Sequence, residues 1–220
     1  MMAEIYDSHE QGEIVKKWLA ENGAAIVMGL VIAFGGLFGF KQWQTWQVSK
    51  KQQASAEFKV LKEFLTDHKM DDALNNFLTL QKESADSPYT SLAALQMARA
   101  RIETRQPELA VGHYRLVMEK GQPKAIRVIA RERLARTLLG MDQAEEALTI
   151  IQGESEIKGF EARYAETRGD ILVALGRSDE AVAAYQEAIN ALEAGTGDRE
   201  TLVIKLESLG VVQTGEAITS

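Results

Sequence analysis

The 220 residues are 45% hydrophobic and 26% charged, which suits a globular domain with or without an appendage and excludes a collagen-like or wholly disordered chain. With 25 basic against 32 acidic residues the formal net charge is −7, which argues against a protein that grips nucleic acid through its phosphates. Cysteine is absent, so thiol catalysis, disulfides and cysteine-bearing zinc sites are excluded together.

Residues 1–21 read as a short acidic tail in which Glu4, Asp7, Glu10, Glu13 and Glu21 face only Lys16 and Lys17. From Asn22 to Phe40 no residue is charged, and at 1.5 Å rise per residue that stretch covers about 28 Å, close to the thickness of a hydrocarbon core. Trp18 precedes it and Trp43 and Trp46 follow it, the interfacial placement that distinguishes a spanning helix from a core helix. Ala54-Ser55-Ala56 offers a small-x-small cleavage site, but the acidic leader and the distance from Phe40 favour an uncleaved anchor. Ala25, Gly29 and Ala33 recur every four residues, and Gly35 and Gly39 form a GxxxG pair. Such spacing lets a second helix approach closely, or it reflects only the usual composition of membrane helices. Near the span, Lys16 and Lys17 on one side are outnumbered by Lys41, Lys50, Lys51 and Lys59 on the other. Taken literally this puts the large domain in the cytoplasm, yet long domains translocate largely regardless of charge, so lysine placement leaves the orientation open.

Residues 41–53 are polar and helix-compatible, a helical linker extending the membrane segment. Beyond them only Pro88, Pro107 and Pro123 interrupt a pattern of apolar residues at three- and four-residue intervals, so residues 54–209 read as short antiparallel helices with each proline at a first helical position. Gly169, Leu172, Gly176, Ala181, Tyr185 and Ala188 have the spacing of a tetratricopeptide unit, although Arg168 and Glu193 depart from it. Moving back from Ala181, the equivalent alanines are Ala147, Ala110 and Ala73, at intervals of 34, 37 and 37 residues. Tyr114 and Phe77 take the aromatic place of Tyr185, and Ala135 and Ala98 the small place of Gly169. Four helix pairs therefore stack as a solenoid, closed by an amphipathic segment from Asp198 to Leu209 whose Leu202, Leu206 and Leu209 share one face. Residues 210–220 have little to bury and are expected to be a flexible tail. The fold class is all-α: one transmembrane helix, a tetratricopeptide-like αα-hairpin solenoid and a C-terminal capping helix.

Chemistry is sparse. His9, His68 and His113 fall in separate segments without metal-ligand spacing, no phosphate-cradling loop follows a strand, and no nucleophile motif occurs. Neither an enzyme nor a cofactor is expected. A solenoid does present a concave face from the first helix of each pair, and one register position there holds Lys62, Arg99, Arg136 and Asp170. The three basic residues either grip acidic groups of a bound peptide or form a solvated face. Phe58, Leu92 and Leu95 lie on the same surface, as an apolar patch if exposed and as core if covered.

Glu10-Gln11, Lys16-Lys17-Trp18, Glu21-Asn22-Gly23, a span ending Gly39-Phe40, then Trp43-Gln44, degenerate helix pairs and the closing run Leu202 to Leu209 together resemble the ancillary SecYEG translocon subunits, the YfgM-like family. Leu19 stands where that family often places a second tryptophan. The resemblance implies a single-pass protein of the bacterial inner membrane, with its N-terminus in the cytoplasm and its helical domain in the periplasm. It implies association with SecYEG, with a membrane-anchored prolyl-isomerase-like chaperone and with emerging secretory proteins, and it carries over no catalytic residue. A cytoplasm-facing tetratricopeptide adaptor regulating a membrane assembly is the alternative that topology would separate.

Overall fold

A computed structural model describes residues 8–153, 158–192 and 199–211, with side chains from residue 12 onward. Glu4 and Asp7, the side chains of His9, Glu10 and Gln11, the departure at Glu193, the start of the closing segment at Asp198 and residues 212–220 of the expected tail lie outside the described residues. Among those described, nine helices and their turns account for the regular structure, with no strand. The chain divides into two compact units, Met1–Gln52 and Gln53–Ser220.

Helix α1, Ser8–Thr66, contributes to both units. In the first it contains the whole uncharged run, with side chains bare of protein cover: Ile32 and Phe34 are each 68% exposed and Phe38 is 73% exposed. An apolar surface that large is stable only against lipid or a partner, and α1 is the one helix among the described residues long and apolar enough to cross a membrane. Beside the run, the Asn22 amide donates to the Trp18 carbonyl at 3.0 Å, and the Lys50 ammonium sits 4.2 Å from the Trp46 ring centre, a cation–π contact.

In the second unit the end of α1 pairs with α2 (Met70–Glu83), α3 (Pro88–Glu103) with α4 (Pro107–Lys120), α5 (Lys124–Gly140) with α6 (Ala144–Gln152), and α7 (Glu161–Ala174) with α8 (Ser178–Ala191). Consecutive helices from α2 to α9 (Arg199–Ser208) pack on one another and α5 also meets α7, the neighbour-only pattern of a solenoid. Each pair is joined by the same turn. His68, Arg105, Asp142 and Gly176 adopt left-handed φ values of 59°, 58°, 60° and 71°. The following amides, of Lys69, Gln106, Gln143 and Arg177, bond to the carbonyls of Phe64, Arg101, Leu138 and Leu172 at 2.8–2.9 Å, closing each first helix.

The repeat positions read from sequence form the core. Ala73, Ala110, Ala147 and Ala181 are fully buried where the helices cross, with Phe77, Tyr114, Ile151 and Tyr185 one turn on, each at most 5% exposed. In the last unit the approach needs glycine, because a Cβ on Gly169 would overlap the Tyr185 ring. Ser87 caps α3, its Oγ accepting from the Tyr89 amide at 3.2 Å, and Pro88 follows at the first helical position as expected. Pro123 departs from expectation. It is extended, with ψ 168°, and its carbonyl accepts from the Ile126 amide at 2.9 Å, so it precedes α5 rather than opening it. Leu202 and Leu206 of α9 are buried and Leu209 is partly so, giving the last pair its covering helix.

Candidate functional site

Helices α3 and α5, with the starts of α4 and α7, enclose an open groove of about 1170 Å³. Leu92, Leu95, Arg99 and Ile102 enter it from α3, Arg105 from the α3–α4 turn, Tyr114 from α4, Ile126, Ile129, Glu132, Arg133 and Arg136 from α5, and Arg163 from α7. Arg99 and Arg136, chosen by register alone, thus face one cavity. Lys62 lines a separate hollow of about 300 Å³ that shares Gln96 and Arg99 with the groove. Leu92 is 37% exposed, whereas Leu95, at 7%, is mainly core that reaches the groove wall. Phe58 lines neither space; it is half-buried against Tyr89, ring centres 6.0 Å apart, with the Lys62 ammonium 5.8 Å from its own ring. The apolar trio is therefore split between surface and core.

Arg99 and Arg136 occupy equivalent places but have different neighbours. Arg99 pairs at 2.8 Å with Glu103, both side chains well exposed, so the pair is worth at most about 1 kcal/mol. Arg136 stands one turn after Glu132, whose side chain is only 4% exposed, and its Nε lies 2.6 Å from that carboxylate. The same Nε donates to the Thr167 hydroxyl at 3.1 Å, and its Nη2 is 3.7 Å from Glu166. Arg163 adds a 3.7 Å contact to Glu132. Further along, Lys205 of α9 reaches back at 2.8 Å to Glu166 and 2.7 Å to Asp170, and the Tyr185 hydroxyl donates to Asp170 at 2.8 Å. Burial, then the bond to Asp170 and its charge, push the Tyr185 phenol well above its ordinary pKa. Burial pulls the Lys205 ammonium down, but its bonds to Asp170 and Glu166 outweigh this and the net shift is upward.

The concave face consequently has two characters. Glu132, Arg136, Arg163, Glu166, Asp170 and Lys205 form a ladder of alternating charge linking three helices. Beside it, Arg105 and Arg133 carry no hydrogen bond or ion pair to any described side chain, and both open onto the groove. Sequence reasoning passed over Glu132, Glu166, Lys205, Arg105, Arg133 and Arg163. One signal was available, because an acid four residues before a base on a helix, as in Glu132 and Arg136, is the favoured pairing order.

Elsewhere His113 is half-buried edge-on to Phe77, ring centres 5.1 Å apart, and burial, helped by Arg101, lowers its pKa. Among the described residues no group of three or more His, Asp or Glu side chains is clustered to hold a metal. In α1 a Cβ added to Gly29, Gly35 or Gly39 would meet nothing, and with Ala25 and Ala33 these lie along the uncovered apolar run.

A family model described as a tetratricopeptide repeat-like domain matches residues 16–211. An ancillary SecYEG translocon subunit of Aggregatibacter actinomycetemcomitans is 28% identical over 210 residues, covering 94% of this chain and 100% of that protein. The protein of the same name from Escherichia coli (strain K12) is 26% identical over 214 residues, with the same coverage of both. Among solved structures, MamA from Desulfovibrio magneticus RS-1 superposes with a TM-score of 0.51 over 71% of this chain and 93% of that chain, at 16% identity, a likeness of fold alone.

Proposed function

The chain belongs to the tetratricopeptide repeat-like family, and from that premise we propose that it is a membrane-anchored adaptor of the SecYEG translocon. The observation that carries this reading is the end-to-end match to ancillary translocon subunits, which spans the apolar run and the repeats together and so concerns the whole arrangement. Residues 22–40 hold the protein in the bacterial inner membrane as a single pass, with the N-terminus in the cytoplasm and the repeat domain in the periplasm. The domain docks a membrane-anchored prolyl-isomerase-like chaperone or emerging secretory proteins in its concave groove, and binding is its whole activity. Ala25, Gly29, Ala33, Gly35 and Gly39 offer the backbone to a neighbouring membrane helix, where close packing drives association.

Two measurements test this. In spheroplasts with an intact inner membrane, an epitope after Ser220 should be digested from outside. Protection until lysis would instead support a cytoplasm-facing adaptor, the reading that Lys41, Lys50, Lys51 and Lys59 favour. A photocrosslinker in residues 22–40 should capture a SecYEG subunit, and replacing Gly35 and Gly39 by leucine should weaken that capture. Undiminished capture in the double variant would leave the small residues as ordinary membrane composition.

A further inference from the structure

We infer that the groove takes an acidic, amphipathic peptide segment, read by Arg105 and Arg133 together with the exposed apolar side chains of its lining. The assignment rests on the adaptor reading and names the chemistry of its partner. In a chain of net charge −7, the groove is lined by five arginines and only two glutamates. One of those, Glu132, is buried and already engaged by Arg136 and Arg163, so it offers little repulsion to an incoming acid. Arg105, in the α3–α4 turn, and Arg133, on α5, both line the groove without a side-chain hydrogen bond or ion pair to a described residue. Leu92 and Ile102, 37% and 40% exposed, share that lining with Ile129.

Cations that share a groove with exposed apolar side chains are complementary to a segment that carries both carboxylates and leucine-like side chains. A guanidinium makes charge-assisted, often two-point bonds to carboxylates, while the apolar lining buries the leucine-like side chains. A basic or purely polar segment would leave one of these features unmatched. Arg136 is a positioning residue here: committed to Glu132, Thr167 and Glu166, it shapes the wall.

The test is a fluorescence-anisotropy titration of the full chain in detergent. Its probes are a labelled amphipathic peptide of leucine and glutamate and a control with every glutamate changed to glutamine. The acidic peptide should bind at least about tenfold more tightly than the control, and raising the salt several-fold should weaken it, as for exposed charge pairs. Arg105→Ala with Arg133→Ala should erase the preference with an unchanged melting curve, since neither side chain has a hydrogen bond or ion pair to lose among the described residues, and Leu92→Asp should weaken acidic-peptide binding independently. Equal binding of both peptides, no binding of either, or a preference surviving the double variant would overturn the assignment. Failure to crosslink SecYEG would sink the adaptor reading without altering this titration.

Discussion

The two ends of the concave face share a register but differ in what that register is used for. At the first end Arg99 follows Leu95 by one turn and, among the described residues, pairs with exposed Glu103; at the second, Arg136 follows buried Glu132 and is held by polar contacts to residues of both α5 and α7. An arginine above a leucine projects into solvent, whereas an arginine above a buried carboxylate becomes part of the fold, because removing it would strand a charge in low dielectric. Equivalent position in a repeat therefore does not mean equivalent role.

The largest effect expected at the ladder end comes from Gly169→Ala. The new methyl would drive the Tyr185 ring from its place and its hydroxyl from Asp170, at a cost of about 1–3 kcal/mol in urea denaturation. A loss of under about 0.5 kcal/mol, the usual surface value, would mean the ring relaxes freely. Next, Arg136→Ala should cost about 2 kcal/mol, below the full penalty for a buried pair because Arg136 is partly exposed and Arg163 stays near Glu132. Arg99→Ala should stay within about 0.5 kcal/mol. Equal losses for the two would erase the contrast between the ends.

The turns provide a smaller test. His68→Gly should stabilise by about 1 kcal/mol by relieving a left-handed residue, and Gly176→Ala should destabilise by a similar amount, both read from thermal melts. Smallest are the pH effects. The lowered pKa of His113 means its contribution is complete above the ordinary histidine value near 6.5 and is lost as pH falls through the folded value, so His113→Gln should flatten the acid limb. The raised pKa of Lys205 works oppositely: its contribution is complete below about 10.5 and is lost as pH rises through the folded value, so Lys205→Met should flatten the alkaline limb. Stability profiles that keep both slopes in the variants would assign the pH dependence to other groups.

Sequence alone determined the features that depend on local periodicity and size. An uncharged run of membrane length needs no partner to be recognised, since lipid itself is the selecting environment. The crossing alanines, the rings one turn after Ala73, Ala110 and Ala181, and the leucines of α9 were legible because close helix crossings admit only certain volumes at fixed intervals. Tertiary structure decided what each exposed charge faces. The ladder from Arg163 to Lys205 joins residues more than 40 positions apart, and Arg105, in the α3–α4 turn, lines the same groove as residues of α5. Whether Leu95 is core and Leu92 surface, or Arg136 structural and Arg133 free, depends on the neighbouring helix. Coulombic and packing partners across a solenoid are set by distance in space, which a one-dimensional register does not contain.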